Sequence, residues 1–209
     1  MPQINISDFS AVLFDLDGVI VDTEGQYSRF WKQIGAEYLP GVPDFAPAIK
    51  GRTLTQIYDT YFPDAADRDA ITERLYAFER QMDFPYIAGA REFLEALRAK
   101  GVPTAIVTSS NCDKMACLYA CHPEIKNLVT AVLTAEDARR SKPAPDCYLA
   151  AAERLGVEIG KCLVFEDSPG GLAAGRASGA LVAGVCTSLA AAEIEPLCDM
   201  YIEDFKEFI

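Results

Sequence analysis

Short apolar runs recur along the chain, and several of them end beside a charged or hydroxyl side chain. The runs span residues 11–15, 103–107, 129–133, 161–165 and 180–185. Apolar runs of this length without polar alternation are typical of parallel strands that are buried on both faces. We therefore predict five strands of a parallel sheet.

Helical periodicity separates the later apolar runs. Residues 90–100 place their apolar side chains on one helix face, and Gly101 follows as a stop signal. Residues 146–155 show the same period, with Pro145 near the start. Alternating strands and helices predict an α/β fold, a doubly wound, Rossmann-like parallel sheet covered by helices.

One segment, residues 21–87, breaks this alternation. It contains helical periodicity and no buried strand. Its apolar positions form two helix faces, made by Tyr27, Phe30, Trp31, Ile34 and Tyr38 and by Ile71, Leu75, Phe78 and Met82. We predict a small helical domain at 21–87, inserted into a core formed by 1–20 and 88–209.

Composition limits the classes of partner. The chain has 209 residues, 50% of them hydrophobic, and 31 acids against 19 bases give a net charge of −12. This acidity argues against nucleic acid and anionic membranes as partners, and at first also against small anionic substrates. We find neither a signal peptide nor a stretch long enough to span a bilayer, so we expect a soluble, cytoplasmic protein.

The residues able to do chemistry follow the predicted strands. Ligands of doubly wound sheets bind at the carboxyl ends of the strands, so these side chains should meet at one edge. They are Asp15 and Asp17 after the first strand, Thr108 and Ser109 after the second, Lys142 after the third, and Glu166 and Asp167 after the fourth.

The crowded carboxylates predict a bound cation. Up to four acids at one sheet edge repel one another unless a metal ion or raised pKa values relieve them. Oxygen ligands of this kind suit Mg²⁺. With Lys142 the metal would make a locally positive pocket, so the overall acidity excludes large polyanions and not small anions.

Four motifs carry a family resemblance. DLDG, TSS, SKPAPD and FEDSPGG occur in this order, each after a predicted strand. Together they resemble the signature motifs of the haloacid dehalogenase superfamily, across about residues 11–185. The match is closest to the branch of β-phosphoglucomutase-like and sugar-phosphate phosphatases, whose small helical cap domain the inserted segment resembles.

The resemblance implies a role for each motif residue. Asp15 would attack phosphorus and become an aspartyl phosphate. Asp17 would protonate the leaving oxygen and then deprotonate the attacking water. Thr108 and the Ser109 N–H would hold the phosphoryl group, whose charge Lys142 would neutralise. This implies a phosphatase for a small phosphorylated metabolite.

The same resemblance implies the metal ligands. Mg²⁺ would be bound by Asp15, the Asp17 backbone carbonyl and Asp167, with Glu166 as a ligand through water.

In the cap, the basic residues Lys50 and Arg52 are candidates for substrate binding. A phosphate or an acidic leaving group would favour a cation there. We expect a monomer.

Two other functions remain open. In β-phosphoglucomutases a cap histidine and a cap arginine assist phosphoryl return to the sugar; Tyr27 stands at the histidine position and Leu54 at the arginine position, with Arg52 nearby. The other alternative is a phosphoacceptor switch that resembles response-regulator receivers. The motif order and the helical insert disfavour it.

Seven cysteines in apparently core-forming segments indicate reduced thiols. Cys112, Cys117, Cys121 and His122 cluster in the sequence without CxxC spacing. We favour buried thiols over a zinc site.

Overall fold

A six-stranded parallel sheet forms the centre of the molecule. The computed structural model describes residues 5–50 and 52–209. The strands have the order β3-β2-β1-β4-β5-β6, and every pair of neighbours is parallel. The strands are β1 (Ala11–Phe14), β2 (Thr104–Val107), β3 (Ala131–Leu133), β4 (Cys162–Glu166), β5 (Leu181–Val185) and β6 (Met200–Ile202). The predicted fold class is confirmed.

Ten α-helices surround this sheet or lie between β1 and β2. They are α1 (Glu24–Tyr38), α2 (Phe45–Ala48), α3 (Leu54–Tyr61), α4 (Ala65–Glu79), α5 (Ala90–Ala99), α6 (Cys112–Cys121), α7 (Ile125–Leu128), α8 (Asp146–Leu155), α9 (Pro169–Ser178) and α10 (Ala191–Ile194) within the described part of the chain. None of them has the length and hydropathy that crossing a membrane requires.

Apart from shifts of one residue at strand ends, the structure differs from the predicted strands at two places. The third strand starts at Ala131, because Val129 ends helix α7. The sequence reading also missed β6, a three-residue edge strand of which Ile202 alone is buried. Such a short strand lacks the continuous apolar run that marks the others.

Separate apolar clusters fill the two faces of the sheet and the helical insert. Phe14 and Phe165 stack at a centroid distance of 5.3 Å on one face, and Tyr148 is fully buried on the other. A third cluster joins residues of α1, α2, α3 and α4, including Ile34 and Phe62. The insert thus has its own core, while its boundaries at 20/21 and 87/88 stay a prediction.

Candidate active site

The predicted site residues line one cavity. Its volume is about 540 Å³, and it lies between the carboxyl edge of the sheet and the helices of the insert. The members already predicted from sequence are Asp15, Asp17, Lys50, Arg52, Thr108, Ser109, Lys142, Glu166 and Asp167.

A buried lysine joins the first, third and fourth motifs. Lys142 Nζ lies 2.6 Å from Asp15 Oδ1 and 2.6 Å from Glu166 Oε1. It also donates to the Val107 carbonyl at 3.2 Å. Its side chain is 3% exposed, so both ion pairs are shielded from water and their hydrogen bonds are strong.

Glu166 accepts hydrogen bonds at both of its carboxylate oxygens. Besides Lys142, the Tyr148 hydroxyl donates to Oε1 at 3.1 Å. The Asp167 and Ser168 N–H groups donate to Oε2 at 2.9 and 3.0 Å, and the Ser168 hydroxyl at 3.1 Å. These donors hold Glu166 as a fixed anchor for Lys142 and for the start of α9.

Two glycines make room for the carboxylates. A Cβ at Gly171 would lie 1.7 Å from Glu166 Oε1, and a Cβ at Gly18 would lie 2.1 Å from Asp167 Oδ2. Gly18 also has φ +78°, in the left-handed region that disfavours other residues. Both positions therefore require glycine for the carboxylates to keep their places.

The buried charges shift one another's protonation. Burial and the neighbouring carboxylates raise the pKa of Asp15 to about 7, although Lys142 opposes this. Burial, Glu166 and Asp15 hold the pKa of Asp167 well above its ordinary value. Burial acts against the Lys142 cation, but Asp15 and Glu166 outweigh it and raise its pKa well above the ordinary value.

Asp17 is held by a different set of donors. Lys114 Nζ lies 2.5 Å from its Oδ1 and 2.6 Å from its Oδ2. The Thr23 hydroxyl donates to Oδ1, and the Ser110 hydroxyl to Oδ2 at 3.1 Å. Burial raises the pKa of Asp17, but Lys114 and the hydroxyl donors outweigh it, so the pKa falls below its ordinary value.

Thr108 has a hydroxyl hydrogen to offer. The Ser110 N–H donates to Thr108 Oγ1 at 3.0 Å, so this oxygen acts there as an acceptor and its own hydrogen can point to a ligand. Thr108 is buried, and its N–H donates to the Leu133 carbonyl at 2.9 Å. Ser109, half-buried, follows in the same loop.

The two basic residues of the insert, Lys50 and Arg52, differ from each other. Lys50 Nζ forms an ion pair with Glu24 at 3.1 Å, which offsets its charge. Arg52 is exposed and lines the cavity. Gly51, between them, lies outside the described residues.

The acidic residues fit a divalent cation. Asp15, Glu166 and Asp167 each offer a carboxylate oxygen, and these oxygens all lie within 4.8 Å of one another. Three buried carboxylates face the single ammonium of Lys142, which leaves excess negative charge that a cation would balance. An all-oxygen donor set is the one that Mg²⁺ prefers. Because Glu166 is already saturated with donors, Asp15 and Asp167 are the better direct ligands.

The cysteine cluster does not form a comparable group. Among the described residues, the acidic triad is the set of His, Cys, Asp or Glu side chains with ligand atoms in reach of one ion. His122 instead contacts the Phe84 carbonyl at 2.8 Å. Cys112 and Cys121 are exposed, so the interpretation as buried thiols is wrong for these two.

The sequence reading missed several donors around the predicted acids. They are Lys114, Thr23 and Ser110 around Asp17, Tyr148 on Glu166, and Ser188 on Asp167. A signal existed for Lys114: it lies in the first turn of α6, directly after the second motif, where Asn111 caps the helix by accepting from the Lys114 N–H.

The sheet order, the inserted helices and the acid–lysine site are those of an α/β enzyme whose site lies at the carboxyl edge of the sheet. A sequence model of the haloacid dehalogenase-like hydrolases matches residues 9–179. The chain belongs to the haloacid dehalogenase-like hydrolase family. The predicted resemblance and the predicted enzyme class, a phosphatase of this family, are confirmed.

Characterised relatives include phosphatases and mutases. Hexitol phosphatase A of Escherichia coli K12 is 32% identical over 83% of this chain and 81% of its own. A β-phosphoglucomutase of Mycobacterium bovis is 30% identical over 95% of this chain and 91% of its own. The bifunctional riboflavin kinase/FMN phosphatase of Arabidopsis thaliana is 30% identical over 84% of this chain, which spans about half, 48%, of that protein.

A solved structure shares the whole architecture. The crystal structure of a family IA, variant 3 hydrolase of this superfamily from Entamoeba histolytica HM-1:IMSS superposes with a TM-score of 0.80. Its sequence identity to this chain is 25%, and the match covers 94% of each chain.

Proposed function

We propose that this protein is a Mg²⁺-dependent phosphatase that hydrolyses a small phosphorylated metabolite through an aspartyl phosphate on Asp15. One observation carries the proposal. Asp15 lines the cavity, and its Oδ1 lies 2.6 Å from Lys142 Nζ. A buried carboxylate beside a fixed cation is a suitable nucleophile for a phosphate ester, because the cation offsets the charge of the incoming phosphoryl oxygens.

The first step forms the Asp15–phosphorus bond and breaks the bond between phosphorus and the leaving oxygen. Thr108 and the Ser109 N–H donate to the phosphoryl oxygens, and Lys142 offsets their charge. Asp17 gives a proton to the leaving oxygen.

The second step returns Asp15 to its free form. Asp17 takes a proton from a water molecule, whose oxygen attacks phosphorus as the Asp15–phosphorus bond breaks. Phosphate leaves, and Asp17 holds the proton that the next leaving group needs. When bound by Asp15, the Asp17 carbonyl and Asp167, Mg²⁺ would stabilise negative charge on the phosphoryl group.

A sugar phosphate is the substrate class that the relatives favour, since hexitol phosphatase A is among them. The cavity of about 540 Å³ is large enough for a small metabolite. Arg52, an exposed residue of the cavity lining, is suited to the distal part of such a substrate. Lys50 is less available because it pairs with Glu24. A cytoplasmic, monomeric protein without nucleic-acid or membrane partners is part of the same proposal.

The test measures phosphate release from 4-nitrophenyl phosphate and from a panel of sugar phosphates. The protein should hydrolyse the aryl ester in Mg²⁺ and lose activity in EDTA. Asp15→Asn should abolish turnover while keeping the fold, and full activity of this variant would overturn the proposal. Arg52→Ala should raise KM for the preferred sugar phosphate severalfold and leave KM for the aryl ester nearly unchanged.

A phosphosugar mutase is the second candidate, favoured by the β-phosphoglucomutase that aligns with 95% of this chain. Tyr27 weighs against it: in place of a histidine free to serve the substrate, its hydroxyl donates to Glu79 at 2.7 Å. A coupled assay with β-glucose 1-phosphate separates the two. Fast isomerisation with slow phosphate release would show that the protein is a mutase and would overturn the proposal of a phosphatase.

A further inference from the structure

Lys114 is a buried cation outside the four motifs. It is 4% exposed, and its ammonium lies 2.5 and 2.6 Å from the two oxygens of Asp17. A buried ammonium is costly unless its partners hold it closely. Lys114 belongs to α6 of the core, whose first turn is fixed by the Asn111 side chain, which accepts from the Lys114 N–H at 3.0 Å.

The insert holds the other side of this ammonium. Lys114 Nζ lies 4.4 Å from the ring centroid of Tyr27 in α1, within the range of a cation–π contact. The Tyr27 hydroxyl in turn donates to Glu79, the last residue of α4, at 2.7 Å. Glu79 is itself buried. A continuous chain of contacts therefore runs from Asp17 through Lys114 and Tyr27 to Glu79.

The position of Asp17 depends on this chain. Asp17 is separate from the acidic triad of Asp15, Glu166 and Asp167, and its carboxylate is oriented by Lys114 together with the hydroxyls of Thr23 and Ser110. Lys114 binds both oxygens, whereas each hydroxyl binds one. It is the donor that fixes the plane of the carboxylate.

We propose that Lys114, clamped between Asp17 of the core and Tyr27 of the insert, is a positioning residue that holds the Asp17 side chain beside the leaving oxygen. When Asp17 carries the proton, one carboxyl oxygen stays on Lys114 and the other bears the hydrogen. This inference rests on the proposed function, because it assigns a role within that reaction. Lys114 acts through Asp17, because among the described residues its ammonium donates to the two Asp17 oxygens and not to Asp15. Its loss should therefore matter most when the leaving group needs a proton.

Two aryl esters of similar shape test this. Phenolate is a much poorer leaving group than 4-nitrophenolate, so phenyl phosphate depends more on the general acid. The quantity to compare is kcat/KM, which reports the steps up to departure of the leaving group. Lys114→Met should lower kcat/KM for phenyl phosphate roughly tenfold more than for 4-nitrophenyl phosphate. Lys114→Arg, which keeps the charge and the bidentate donors, should restore most of this ratio.

The matched control is Lys126→Met. Lys126 Nζ also lies over an aromatic ring, 4.3 Å from the centroid of Tyr119, but outside the cavity. This variant should keep the wild-type ratio. If Lys114→Met does not fold by circular dichroism, Lys114→Gln provides the same comparison with a neutral donor.

Each result decides a different claim. Equal losses of kcat/KM on both esters would overturn the positioning role and point to direct phosphate binding or a structural role for Lys114. A wild-type protein without activity on either ester would overturn the proposed function itself. A larger loss on phenyl phosphate, restored by arginine, supports both.

Discussion

Gly171 and Glu166 approach each other so closely that any side chain at position 171 would overlap the carboxylate. The closest approach of a Cβ there is 1.7 Å. A Cβ at Gly170, the adjacent residue of α9, would meet nothing within 4 Å. The two neighbouring glycines of the fourth motif thus have different physical reasons to be present, which the sequence alone did not separate.

Gly171→Ala should displace Glu166 and with it Lys142. We expect a loss of about 2 kcal/mol in the free energy of unfolding, as for other overpacked sites, and at least a tenfold decrease in kcat. Urea unfolding and hydrolysis of 4-nitrophenyl phosphate measure the two effects.

Gly170→Ala is the control for this variant. It adds the same methyl group to the same helix, where alanine favours helix formation. Activity should stay at the wild-type level, and stability should be equal or slightly higher. Matching losses in both variants would contradict the close approach at Gly171.

The motif residues were predictable one by one because each lies at or beyond the carboxyl end of a predicted strand. Asp15 and Lys142 do meet, although 127 positions separate them along the chain. The partners on helices were not predictable in this way. Whether Lys114 or Tyr148 reaches a carboxylate depends on how α6 and α8 pack against the sheet, and a single sequence does not show that packing.

At the scale of elements, the predicted helix 146–155 has the bounds of α8, because Gly156 ends it in the left-handed conformation. Helix α3 shows what pattern alone misses. Thr53 and Gln56 form a capping box at its start, and Gln56 Nε2 also donates to the Lys142 carbonyl at 3.1 Å. The same side chain caps a helix of the insert and joins it to the loop that contains Lys142.

Strand β4 contains a thiol that should make stability depend on pH. Burial raises the pKa of Cys162 from 9.0 to about 11. The folded state thus favours the neutral thiol. The contribution of this thiol to the free energy of unfolding is complete below pH 9 and is lost as the pH rises through 11. At about pH 10 the free energy of unfolding should be about 1 kcal/mol lower because of this group.

Urea unfolding of the wild type and of Cys162→Ala at neutral pH and at about pH 10 measures this contribution. The decrease between the two pH values should be smaller in the variant. Cys121→Ala, which removes an exposed thiol, should keep the wild-type decrease. Identical decreases in the wild type and in Cys162→Ala would show that Cys162 does not ionise on unfolding.

At the scale of the whole molecule, the net charge of −12 predicts repulsion of anions, whereas the cations that line the cavity favour binding of a small anion. Two buried lysines, Lys114 and Lys142, lie among the site's acids. Acidity spread over the surface repels a large polyanion, whereas a small phosphate responds to the few charges that line the cavity. The sequence predicted Lys142 as a cation of the site, whereas Lys114 was found in the same cavity only from the fold.

The central claim is that the phosphoryl group is transferred to Asp15 before it is released as phosphate. Rapid acid quenching during turnover of 4-nitrophenyl phosphate in Mg²⁺, followed by borohydride reduction, converts a phosphorylated aspartate into homoserine. Mass spectrometry of the peptide containing Asp15 should then show homoserine at position 15, absent from protein quenched without substrate and from Asp15→Asn. Undiminished hydrolysis with an unmodified Asp15, or with the phosphoryl group on another residue, would contradict the account.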